Sequence, residues 1–73
     1  MRTYRIQLQP EPEGGFTVFV PSLPGCITYG ETVEEALTMA REAIEGYIEL
    51  LEEQGSPIPD DSQKLEYSLT LAA

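Results

Sequence analysis

The side chains able to do chemistry are few and mostly of one sign. Thirteen acids stand against four cations, there is no histidine, and Cys26 is the only thiol. A catalytic cysteine needs a base or a cationic neighbour to form its thiolate. Cys26 follows Pro24-Gly25 with no histidine anywhere in the chain, and reads as a small buried hydrophobe. One cysteine forms no internal disulfide and, without histidine, no zinc site of the usual nitrogen and sulfur ligands. The acid pairs Glu52-Glu53 and Asp60-Asp61 lack calcium-loop spacing. Gly14-Gly15 lacks the further glycine, lysine and helix start of a phosphate loop, and a hairpin turn explains it. The expectation is a protein without catalytic residues, metal or cofactor, not an enzyme.

The net charge of −9 argues against direct nucleic-acid binding, which needs clustered Lys and Arg to neutralise phosphate. Such a surface repels anionic lipid and steers a basic partner; the simpler alternative is that the acids serve solubility. No apolar run approaches the ~18 residues that span a bilayer, and Met1–Arg5 leads into alternating residues instead of an apolar leader. A lone cysteine fits a reducing compartment. The expected location is the cytoplasm. With 73 residues there is room for one domain, residues 1–73, and one modest core. Cores of this size supply only about 3–5 kcal/mol and commonly need a supplement. With disulfide and metal excluded, a homo-oligomer, dimer or tetramer, is expected.

The elements that would carry these residues are legible from their periods. Thr3 to Gln9 alternates, with Tyr4, Ile6 and Leu8 on one side and Arg5, Gln7 and Gln9 on the other, predicting a first strand. Pro10–Gly15 predicts a hairpin loop. Phe16–Val20 predicts a second strand, apolar on both faces and so central in the sheet. Pro21–Gly25 turns the chain into a short third strand, Cys26–Gly30. Thr32 then opens a helix, with a capping box in which Glu35 reaches back to the Thr32 N–H. Val33, Ala36, Leu37, Ala40, Ile44, Tyr47, Ile48 and Leu51 form its apolar stripe. Gly46 marks either close packing or a tolerated glycine, while Gly55 and Pro57 end the helix. Leu65, Tyr67, Leu69 and Leu71 alternate with Glu66, Ser68 and Thr70, predicting a fourth strand. With a right-handed crossover, the expected fold is α+β, β-β-β-α-β. Its four-stranded mixed sheet has the order 3-2-1-4, with one helix on one face. The uncovered face, or the free edge of strand 3 or 4, is the expected place of self-association.

The helix carries the most informative charges. Glu31, Glu34 and Glu35 lie at its N-terminus, where the dipole favours them. Glu49, Glu52 and Glu53 lie in its last turns, where the dipole disfavours anions by about 0.3–1 kcal/mol each at low salt. Glu45–Glu49 and Glu49–Glu53 are like charges one turn apart, and only Arg41 could offset them. Helix stability alone would place Lys or Arg there, so the pattern favours a basic partner.

The run Gly15-Phe16-Thr17-Val18-Phe19-Val20-Pro21-Ser22-Leu23-Pro24-Gly25-Cys26 resembles the HicB antitoxin family. So do Thr28, Gly30-Glu31-Thr32, Glu34-Glu35-Ala36-Leu37, Glu42-Ala43-Ile44 and the helix exit Gly55-Ser56-Pro57-Ile58-Pro59. The resemblance spans nearly the whole chain and implies a partial ribonuclease-H-like layout. It also implies neutralisation of a small basic HicA-type toxin, an mRNA-cleaving ribonuclease, by covering its active site. Carried over, it makes Glu42, Glu45, Glu49, Glu52 and Glu53 candidate partner-binding residues. Two departures stand out. Ser22 occupies a position where an acid is usual, and the sequence stops after the predicted fourth strand, so operator binding through a further domain is not expected. Strand 1 offers only Arg and Gln on its polar face, without the acids of two-metal catalysis. The competing reading is a stand-alone oligomeric regulatory or small-ligand-binding module without a toxin partner.

Overall fold

The hairpin Pro10–Gly15 closes on itself through two backbone bonds, Glu11 N–H to Gly15 O and Gly14 N–H to Glu11 O, both 3.0 Å. It joins β1 (Gln7–Pro10) to β2 (Phe16–Phe19) in the computed structural model, which describes residues 1–72. β2 pairs in turn with β3 (Ile27–Gly30), so the sheet is a three-stranded antiparallel meander with β2 at its centre. The pairings Leu8–Val18–Thr28 put one set of residues on the inner face, and Gln7–Phe19–Ile27 put the other set outside.

Between β2 and β3 the Leu-Pro-Gly-Cys turn folds inward. Leu23 N–H donates to Val20 O, Cys26 N–H to Leu23 O and Val20 N–H to Cys26 O, at 2.9, 2.9 and 3.1 Å. This drives Leu23, Val20 and Cys26 into a core cluster with Ile44, Tyr47 and Leu51 of the helix packed on it. Cys26 is buried, and burial pushes its thiol pKa up, which fits a packing role. A second cluster joins Val18 to Ala36 and Ala40, flanked by Ile6, Leu8 and Phe16.

Helix α1 (Val33–Gln54) has both ends capped. Thr32 Oγ1 accepts from Glu35 N–H at 3.0 Å. The reciprocal bond differs from the expected one: Glu35 Oε1 accepts from Glu31 N–H at 2.8 Å, one residue before the cap. At the other end Gly55 takes φ 67°, the left-handed region that glycine enters without steric cost, and its N–H returns to Glu52 O. The helix packs chiefly over β3 and less over β2. Gly30 allows that approach, because a Cβ there would stand 2.4 Å from the Ala36 backbone nitrogen. Of the predicted stripe, Ala36 and Ala40 are buried, whereas Val33 and Leu37 are about half exposed. Gly46 has no neighbour within 4 Å of an added Cβ, so it is a tolerated glycine and not a packing contact.

The expected four-stranded mixed sheet of order 3-2-1-4 is not what this chain forms. Residues 65–72 make no strand, and the sheet of the described residues has three members. Leu65, Tyr67, Leu69 and Leu71 are instead 81–90% exposed. The alternation was read as a fourth strand and that reading fails, because a period of two specifies a face and not the strand that pairs with it. The return loop does reach the expected neighbour, where Asp61 N–H donates to Thr3 O at 2.7 Å and Asp61 Oδ2 accepts from Arg5 N–H, but residues 65–72 form no strand beyond it. The strands are also shorter than predicted, because residues 3–6 extend beyond the end of β2 and bond to this return loop instead.

Candidate partner-binding surface

The stripe that seats α1 also fixes where its acids point. At 100° per residue, Glu42, Glu45, Glu49, Glu52 and Glu53 fall within an arc of roughly 100° on the side of the helix opposite Ala36, Ala40 and Tyr47. All five are exposed. Among the described residues, none of the side-chain hydrogen bonds and neither of the two ion pairs, Arg5–Glu66 and Lys64–Asp61, involves any of them. The last turn of α1 holds no basic residue, and Arg41 makes no ion pair among the described residues. The face is therefore a bare anionic strip on a rigid element, held in register by the packing of its reverse side.

Other acids are structurally committed, which sets the five apart. Glu11 Oε2 accepts from Thr17 Oγ1 at 2.6 Å and braces the hairpin. Glu35 belongs to the cap. Asp60 Oδ1 accepts from Ser62 N–H at 2.8 Å and Ser62 Oγ at 2.7 Å, and these bonds hold its carboxyl below the usual carboxylate range.

Asp61 is the acid whose role sequence spacing did not reveal. It is 5% exposed. Its Oδ2 accepts from Arg5 N–H at 2.7 Å, its Oδ1 accepts from Ser22 Oγ, and Lys64 Nζ lies 3.5 Å away. The Arg5 backbone bond, then the Ser22 hydroxyl, hold its carboxyl below its ordinary value. The bonded partners lie 39 and 56 residues away in sequence, so no local pattern announces them. Ser22, in the Pro21–Gly25 turn, supplies the hydroxyl that meets the Asp61 carboxylate from the return loop. Asp60-Asp61 is thus a structural latch. Among the described residues no group of three or more potential ligands could hold a metal. No helix of the described residues is long and apolar enough to cross a membrane.

Comparison with known proteins fits this architecture. The family described as HicB_like antitoxin of bacterial toxin-antitoxin system matches residues 4–71. A UPF0150 protein of Thermoplasma acidophilum is 42% identical over 59 residues, covering 81% of this chain and 86% of that protein. Antitoxin HicB 1 of Photorhabdus laumondii is 41% identical over 56 residues, 77% of this chain but 36% of the antitoxin, so the chain spans about a third of that protein. The crystal structure of the N-terminal domain of Burkholderia pseudomallei antitoxin HicB superposes with a TM-score of 0.69 at 29% identity, covering 93% of this chain and 72% of that one. With its turn, helix and return loop all inside the matched region, the chain belongs to the HicB-like antitoxin family of bacterial toxin–antitoxin systems.

Proposed function

We propose that this protein is a toxin-neutralising module, which binds a small basic HicA-type mRNA-cleaving toxin and covers its active site. The observation that carries this reading is the bare glutamate strip of α1. A ribonuclease must present cations to hold RNA phosphates, and a fixed row of carboxylates is complementary to such a surface. Glu42, Glu45, Glu49, Glu52 and Glu53 are the contacts in this reading, and the protein acts by occupation without chemistry of its own. Its place of work is the cytoplasm, where mRNA is cut.

Charge complementarity of this kind mainly raises the association rate and makes it fall with salt. The test is titration with a HicA-type toxin, with cleavage of an RNA substrate as a second readout. Replacing Glu45, Glu49 and Glu52 together by Lys is expected to weaken the complex at least about 10-fold at low salt and to restore RNA cleavage. Unchanged affinity in that triple variant would show that the strip is not the contact surface. A toxin that still cleaves RNA while saturated with the unmodified protein would overturn neutralisation itself.

A further inference from the structure

Glycine weakens a helix interior relative to alanine, because it gives up more backbone freedom on folding. Gly46 stands near the middle of the 22-residue α1. Two other glycines that meet this helix have a use inside the chain: Gly30 admits the Ala36 backbone, and Gly55 takes the left-handed turn that ends the helix. Gly46 has neither use. Its backbone is helical, without a positive φ, and no packing neighbour lies within 4 Å of where its Cβ would stand. Nothing among the described residues offsets its cost.

The ground around Gly46 is two-sided. On a helix surface the neighbours of one position are those three and four residues away. For Gly46 these are Glu42, Ala43, Glu49 and Leu50. Glu42 and Glu49 are exposed, belong to the glutamate strip, and stand two turns apart, about 10 Å along the axis. Ala43 and Leu50 form the other side. Ala43 is short and packs inward on the Val20, Leu23 and Cys26 cluster, whereas Leu50 is 51% exposed. The missing side chain therefore leaves an open hollow at the border of the strip, with two carboxylates on one side and two apolar groups on the other. The nearest cation on the helix, Arg41, lies about 140° around the axis from Gly46, and it makes no ion pair among the described residues.

We infer that this hollow is the seat of an arginine of the basic partner. The arginine's hydrocarbon stem lies over Gly46 and against Leu50, and its guanidinium reaches the carboxylates of Glu42 and Glu49. The inference rests on the strip being the partner-binding surface, and it names the point where that surface is read. A long cationic side chain is the occupant that satisfies both sides, because its stem covers apolar surface while its head keeps a charged partner. Arginine fits better than lysine: its guanidinium is planar, more weakly hydrated, and has donors enough for two carboxylates. An apolar side chain in the same place would leave both carboxylates unpaired and partly desolvated. A side chain at position 46 would take the space of the stem.

The experiment is calorimetric titration of a HicA-type toxin into three forms of the full chain: unmodified, Gly46→Ala and Gly46→Leu. Urea unfolding is followed in parallel. Neither substitution is expected to lower the urea midpoint, since alanine and leucine favour helix over glycine and no packing neighbour opposes the added Cβ. Gly46→Ala is expected to weaken the complex about 3-fold and Gly46→Leu at least about 10-fold. Arginines of the toxin are then replaced one at a time by alanine. One such replacement is expected to lower affinity for the unmodified protein but to add little in Gly46→Leu, the coupling that marks a shared contact. Binding that Gly46→Leu leaves unchanged would overturn the seat while the strip reading stands. A loss in Gly46→Leu to which every toxin arginine adds independently would overturn the arginine as occupant. A toxin that does not bind the unmodified protein at all would overturn the strip reading, and the seat with it.

Discussion

The glutamate strip of α1 and the apolar arm at residues 65–71 are both exposed, yet they are exposed for opposite physical reasons. The strip is anchored: its helix is capped by Thr32 and Gly55, and its reverse side is seated on Val18, Leu23 and Cys26. Its like charges cost only a few tenths of a kcal/mol per pair at one-turn spacing, which water and salt relieve further. The arm has a regular apolar side but no seat. Leaving a large apolar side chain in water forgoes about 1.5–3 kcal/mol relative to burying it. An exposed charged face is thus a stable end state that evolution can shape for binding. An exposed apolar face of this length is the kind of surface that interaction sites present.

The sharpest way to break this comparison is to truncate one leucine in each region. Leu23→Ala removes a fully buried side chain and is expected to lower the unfolding free energy by about 2–5 kcal/mol, read by urea titration. Leu69→Ala, at a side chain 90% exposed, is expected to change it by less than about 0.5 kcal/mol. Equal losses at both sites under dilution would show that the arm is seated within its own chain.

A smaller effect is expected at the latch that holds the return loop. Asp61→Ala leaves the Arg5 N–H and the Ser22 hydroxyl without their acceptor and is expected to cost about 1–3 kcal/mol. Because the carboxyl of Asp61 is held below its ordinary range in the folded chain, its contribution is complete at neutral pH. It is lost as the pH falls below about 4, through the folded-state value. The unmodified protein is therefore expected to lose stability more steeply in acid than Asp61→Asn, measured by thermal melts across that range.

The smallest expected effect has the opposite sign. Glu49→Lys removes two like-charge pairs, with Glu45 and with Glu53, and sets a cation near the helix C-terminus. It is expected to raise stability by about 0.5–1 kcal/mol at low salt, with the gain fading at high salt. A gain in stability together with a loss of toxin affinity would separate the strip's role in binding from its role in folding. A loss of stability would show that Glu49 has a structural contact.

Much of the architecture was legible from the chain. The hairpin, the Leu-Pro-Gly-Cys turn and both helix ends were read from residues that act on their immediate neighbours, and β2 was read as central because both of its faces are apolar. The five glutamates were named as a group from the family resemblance, and the helix period of α1 places them on one side. The least legible parts were the latch, where Ser22 and Asp61 meet from distant positions, and the fate of residues 65–71.

What the sequence determined by itself, then, is the conformation of the hairpin, the Leu-Pro-Gly-Cys turn and the helix with its two ends, because capping, turn chemistry and helix periodicity are local. Only the tertiary structure decided which neighbour each segment meets. It set α1 over β3 through the bare Cα of Gly30, bound the return loop to Thr3 and Arg5, and left the last alternating segment without a strand beside it. The physical reason is that an alternating pattern encodes a face, whereas pairing depends on where the preceding loop is tied. Here that loop is tied at Asp61.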